Sequence, residues 1–126
     1  MSEQPTLAVL GASPDRRKFG NKCVRAFLDE DYEVFPINLG GSQVEGLTTY
    51  RRLSEVPKAI DCISVYLPPP VSLELIPEIA ATGASKVWFN PGAADARVFE
   101  AARQAGVKAL DACSIVAIGR SPAQYP

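Results

Sequence analysis

The stretch Leu7–Gly20, LAVLGASPDRRKFG, constrains the fold more than any other part of this chain. Its apolar run Leu7-Ala8-Val9-Leu10 stops at Gly11, and the small-residue turn Gly11-Ala12-Ser13-Pro14 follows. Asp15-Arg16-Arg17-Lys18 comes next, and an apolar pattern at helical spacing begins after Gly20. Strand, glycine turn and helix in that order aim backbone N–H groups and a helix N-terminus at one place, the geometry that holds a phosphate. The rest of the chain reads most simply as the sheet that supports that turn.

Thr6–Leu10 is the first predicted strand. A helix is expected from Lys18–Asn21 to Asp31, with Cys23, Val24, Phe27 and Leu28 on one apolar stripe. Glu33–Asn38 reads as the second strand, although Pro36 is awkward for a central strand because it cannot donate to the ladder. After the glycine-rich loop Asn38–Ser42 and an irregular 43–49, Tyr50–Val56 reads as a short helical turn. Ile60–Leu67, IDCISVYL, is the clearest strand, a near-continuous apolar run of the kind a parallel sheet covered on both faces requires. Then come a helix over Val71–Ala81 closed by Gly83, a strand over Lys86–Asn90, a helix over Ala94–Ala105 closed by Gly106, and a strand over Val107–Leu110. Residues from Ser114 on begin apolar and then read as a tail. This alternation predicts an α/β class: a doubly wound, five-stranded parallel sheet of Rossmann-like type, helices on both faces, strand order 3-2-1-4-5. Its switch point lies beside the first strand, and ligands bind there, outside the carboxyl ends of the strands.

With 126 residues, 47% of them hydrophobic, residues 1–126 read as one domain that needs no disulfide or metal to build a core. A net charge of −1 argues against a general nucleic-acid binder. No apolar run approaches the roughly 20 residues that cross a bilayer. Met1–Pro5 lacks the basic start and apolar core of a signal peptide. Three scattered cysteines with no CxxC pair suit a reducing, cytoplasmic setting. The chain has no histidine, which removes His-dependent triads, Cys-His pairs, His-liganded metals and phosphohistidine. No catalytic set is recognisable in what remains.

The carboxyl ends of the predicted strands therefore supply the candidate site. After the first strand stand Gly11, Ala12 and Ser13, with Arg16, Arg17 and Lys18 as phosphate counter-charges or a solvated loop. Ser13 either faces the ligand or caps a turn. Asn38, Leu39 and Gly40 follow the second strand. Tyr66, Leu67 and Pro68-Pro69-Pro70 end the third, and the prolines either stop the ladder or form a rigid lip for an adenine. Asn90, Pro91 and Gly92 follow the fourth, and Asp111 and Cys113 the fifth. Tyr66 and Trp88 read as core aromatics, and Cys23 and Cys62 as core thiols. Cys113 is either a small core residue or a thiol able to form a mixed disulfide with a thiol ligand. Dinucleotide enzymes of this fold show G-x-G-x-x-G and an acid closing the second strand. Here the glycine after Gly11 is Gly20, and the strand closes on Asn38.

VLGAS at the first turn, FPINLGG after the second strand, VYLPPP, VWFNPGAAD and the late Asp-Ala-Cys-Ser together resemble the small stand-alone CoA-binding proteins. Those are relatives of the CoA-binding domain in the succinyl-CoA synthetase alpha subunit. The likeness runs from Leu7 to Ile118. It implies a pocket for coenzyme A or an acyl-CoA, with phosphate held by the backbone of Gly11, Ala12 and Ser13 and helped by Arg16 and Lys18. It places Asn38 and Leu39 beside the nucleotide, Leu67, Pro68 and Pro69 against CoA, and Asn90, Pro91 and Gly92 toward the pantetheine. Family members commonly read P-V-N-P after the second strand, where this chain has Pro36-Ile37-Asn38-Leu39. The synthetases also need a second domain with a phosphorylated histidine and a beta subunit, so acyl-CoA synthesis by that route is not expected of this polypeptide alone. The expected activity is binding of a small nucleotide ligand, with no nucleic acid or membrane partner. An NAD(P)-dependent oxidoreductase-like protein and a scaffold or regulatory module with incidental nucleotide binding are the rivals. A weak homodimer or an unidentified protein partner stays open.

Overall fold

Five short strands lie side by side in one parallel sheet in the computed structural model, which describes residues 4–126. Residues 1–3, part of the N-terminal stretch read above for a signal peptide, lie outside the described residues. In chain order the elements are β1 (Thr6–Leu10), α1 (Phe19–Asp29), β2 (Glu33–Ile37), β3 (Cys62–Val65), α2 (Pro69–Thr82), β4 (Lys86–Phe89), α3 (Ala96–Gln104), β5 (Ala109–Asp111) and α4 (Ser114–Ala117). Single 3-10 turns stand at Leu53–Glu55 and Pro122–Gln124. The predicted α/β class and the all-parallel, five-stranded sheet are what the chain forms.

The strand order differs from the expected 3-2-1-4-5. It is β2-β1-β3-β4-β5, with β3 hydrogen-bonded between β1 and β4. β3 suits the interior of the sheet and β2 its edge. All four β3 residues, Cys62–Val65, are buried, and a strand that is apolar on both faces loses least at the centre. β2 takes the edge, where Pro36 is harmless. The Pro36 carbonyl accepts from Tyr50 N–H on the outer side at 3.0 Å. In a parallel strand a residue's N–H and C=O point the same way, so the N–H that proline lacks would also have faced outward.

Side chains alternate cleanly between the two faces. Leu7, Val9, Cys62 and Trp88 share a core with Cys23, Val24 and Phe27 of α1. Ala8, Leu10, Ile63, Val65, Val87 and Phe89 pack on the other side against Ile76 and Ile79 of α2 and Val98 and Ala102 of α3. Cys23, Cys62 and Trp88 are buried, as their strand and helix positions predict. Gly83 closes α2 in the left-handed conformation at φ +68°. Among the described residues no helix is long and apolar enough to cross a membrane.

The segment expected to be a tail is instead a clasp on α1. Tyr125 is buried, and its hydroxyl donates to Asp29 at 2.9 Å. Arg120 donates to Glu30 at 2.7 Å and to the Tyr125 hydroxyl at 3.0 Å. The acidic C-terminal end of α1 is what draws this segment back.

Candidate functional site

The chain winds outward from β1 to β2 and then crosses back to β3, so the loops leaving β1 and β3 diverge and open a crevice. A cavity of about 650 Å³ fills it. Gly11, Ala12 and Ser13 border it from the turn after β1, and Lys18, Phe19 and Gly20 from the start of α1. Asn38 enters from the end of β2, and Tyr66, Leu67, Pro68 and Pro69 from the link between β3 and α2. Pro91, Gly92 and Ala93 close the far side.

Two glycines make the turn possible. Gly11 sits at φ +86°, and a Cβ there would collide with the Tyr66 carbonyl oxygen. A Cβ on Gly20 would collide with the Gly11 carbonyl oxygen. Strand end, turn and helix start therefore meet backbone to backbone. Two side-chain amides then engage successive turn carbonyls: Asn38 Nδ2 donates to Ala12 O at 2.8 Å, and Asn21 Nδ2 to Ser13 O at 2.9 Å.

The electrostatics favour an anion at one helix terminus in particular. α1 has Lys18 at its N-cap position, with no side-chain cap and no acidic residue in its first turn, so no side chain caps its leading N–H groups at the positive end of its dipole. α3 is different, because Asp95 accepts from the N–H groups of Arg97 and Val98. Those bonds, the one from Val98 foremost, hold the Asp95 carboxyl below its ordinary range. α2 begins with Pro69 and Pro70, which have no N–H to offer and instead present a stiff apolar wall.

The basic loop divides its charges. Lys18 lines the cleft and takes part in none of the ion pairs found among the described residues. Arg17 is folded onto Asp15 through two bonds of 3.1 Å, which hold the Asp15 carboxyl at about 2. Arg16 points away to Glu45, 3.4 Å off. The Ser13 hydroxyl accepts from Asp15 N–H at 3.0 Å, so it builds the local turn.

Most of the residues picked from the sequence therefore converge on the cleft: Gly11, Ala12, Ser13, Lys18, Asn38, Leu67, Pro68, Pro69, Pro91 and Gly92. Four lie outside its lining. Arg16 is spent on Glu45, and Leu39 stands on the tip of a turn, 80% exposed. Asn90 is 2% exposed and turned inward. Its Nδ2 donates to Ser64 Oγ at 2.8 Å and Val65 O at 2.9 Å, and its Oδ1 accepts from Ser114 N–H at 2.8 Å. Cys113 stands at the N-cap position of α4, without a side-chain capping bond, and packs half-buried on the α1 side.

Phe19, Gly20, Tyr66 and Ala93 also line the cleft, beyond the contacts that the sequence predicts. Gly20 carried a readable signal, since a glycine at a helix start opposite a glycine turn marks close approach. Tyr66 is the C-terminal neighbour of β3. Burial raises its hydroxyl far above the ordinary tyrosine value, and that hydroxyl lies 3.3 Å from Ser114 Oγ in the same buried cluster. Ser64 and Ser114 share a 2.8 Å bond there, and Cys23 reaches Ser64 Oγ at 3.5 Å. Among the described residues no group of His, Cys, Asp or Glu is placed to hold a metal ion.

A family model described as a CoA binding domain matches residues 5–119. A conserved hypothetical protein from Pyrococcus furiosus superposes with a TM-score of 0.81 at 34% identity, covering 90% of this chain and 98% of that one. A trans-feruloyl-CoA synthase from an unknown prokaryotic organism is 25% identical over 84 residues, 65% of this chain and 12% of the synthase. The alpha subunit of an ADP-forming acetate–CoA ligase, also from Pyrococcus furiosus, is 29% identical over 63 residues, 49% of this chain and 14% of the subunit. The chain thus spans a small part of the length of these curated relatives.

Proposed function

This chain belongs to the CoA binding domain family, and on that premise we propose that its cleft takes coenzyme A or an acyl-CoA. The observation that carries the reading is the uncapped start of α1, which opens into the cleft beside the Gly11–Ser13 turn. The pyrophosphate sits over that turn, met by backbone N–H groups, the helix dipole and the Lys18 ammonium. The adenine lies against the apolar wall of Leu67, Pro68 and Pro69, whose fixed backbone loses little entropy on contact. Asn38 stands at the nucleotide end, and Pro91 and Gly92 guide the pantetheine.

The cleft acts as a binding site. Lys18 and Tyr66 are its titratable lining side chains, and Tyr66 is held neutral by burial, so the lining supplies no matched acid and base.

A thermal-shift panel of CoA, 3′-dephospho-CoA, NAD, NADP and ATP tests the reading. A ligand at 100 times its dissociation constant stabilises by about 2.7 kcal/mol, a readily measured rise in a domain of this size. A shift confined to the CoA series is expected. A larger shift with NAD or NADP overturns it.

A further inference from the structure

Asn21 stands outside the cleft lining and is fully buried in the first turn of α1. We propose that it is a positioning residue for anion binding: it fixes the Ser13 carbonyl so that the turn presents N–H groups, and not a carbonyl oxygen, to a phosphate. The proposal rests on the reading of the cleft as a phosphate site.

The orientation of the amide is forced by its neighbours. Arg25 Nε donates to Asn21 Oδ1 at 2.8 Å, and a guanidinium has donors only. Asn21 Nδ2 faces acceptors only, Ser13 O at 2.9 Å and Glu45 Oε2 at 3.1 Å. The amide therefore sits one way round, with its donors toward the turn. Arg25 also donates to Arg16 O at 2.8 Å, so a carbonyl of the turn and one of the basic loop are both held from one helix. Glu45 adopts φ +49°, a left-handed conformation unusual for glutamate, and the fully buried Val44 anchors it from the preceding position. The carboxylate is held where the amide needs an acceptor. Without the Asn21 donor, the Ser13 carbonyl is free to turn its negative end toward the ligand.

Asn21→Asp keeps the shape and the acceptor for Arg25 but sets oxygen against Ser13 O and Glu45. Adding Glu45→Gln supplies a donor that relieves the second clash and leaves the first. Calorimetric titration with CoA and, separately, with inorganic pyrophosphate reads binding, and thermal melts read stability. The expected result is about tenfold or more weaker binding of both probes in the single and double variants, the cost of an unmade bond at a charged site. The double variant recovers only the part of the melting temperature that the clash with Glu45 costs, since the clash with Ser13 O remains. Recovery of affinity along with melting temperature overturns the proposal, as does undiminished binding by Asn21→Asp. If the single variant does not fold, the double variant decides. If the unmodified protein binds pyrophosphate but not CoA, the CoA reading fails and the pyrophosphate comparison still judges Asn21. Binding of neither probe ends both.

Discussion

Asn38 donates its side-chain amide to the carbonyl oxygen of Ala12 at 2.8 Å, stitching the end of β2 across to the turn that leaves β1. Its own oxygen accepts from Gly40 N–H at 2.7 Å. A carboxylate in the same place would keep the second bond and turn the first into a repulsion. Asn38→Asp should therefore cost about 1–3 kcal/mol of stability and weaken CoA binding. Urea melts and calorimetry measure the two effects, and unchanged values in both would contradict this account of the stitch.

Gly20 carries a prediction of unusual sign. Glycine to alanine inside a helix ordinarily stabilises by about 1 kcal/mol. Here the added methyl strikes the Gly11 carbonyl oxygen, which is backbone and cannot swing aside. Gly20→Ala should destabilise by about 1–3 kcal/mol, the range for overpacking a tight site. A urea midpoint that rises would show that the turn and helix have room to separate.

Lys18 and Arg17 should part company under mutation. Lys18→Met is expected to weaken CoA binding by about three- to tenfold and to flatten its salt dependence, with little change in melting temperature. Arg17 is folded back on Asp15 and 88% exposed along its side chain, so Arg17→Met should leave affinity unchanged. Titrations at two salt concentrations separate the two. Equal losses would mean that both charges act from a distance.

Burial raises the Cys23 thiol from its ordinary 9.0 to about 11, and burial raises the Tyr66 hydroxyl as well. For groups that stay protonated longer in the folded state, the folded form binds more protons once the unfolded form begins to ionise. Stability is thus full below pH 9 and falls as pH rises toward 11. Cys23→Ala should reduce that alkaline loss. In the native protein a thiol reagent should label Cys113 first, since Cys23 and Cys62 are buried. Rapid labelling of all three would contradict the packing of the α1 side.

Much of this was legible in the sequence because strand ends and glycine turns are local signals. The strand order was misjudged in the expected 3-2-1-4-5, although Pro36 fits an edge and IDCISVYL a centre in the order found. What could not be read was the direction of single side chains past a strand end. Val87 and Phe89 face α2 and α3 while Trp88 faces α1, so Asn90 continues the α1 side and disappears into the Ser64–Ser114 cluster. Leu39 was lost to the turn closed by Gly41 N–H on Asn38 O at 3.2 Å. Arg16 was lost to Glu45, a partner 29 residues away that only the folded 39–47 loop delivers. The C-terminal clasp rests on Arg120 and Tyr125 meeting α1, again a long-range pairing that no periodicity announces.

If coenzyme A occupies the cleft between the β1 and β3 loops, nitrogen-15 NMR titration with CoA gives saturable shifts in the amides of Gly11–Ser13, Lys18–Gly20 and Gly92, with the smaller cavity around Leu53, Ala59 and Thr82 unmoved. Shifts centred on that second cavity, or none at saturating CoA, would contradict that occupancy.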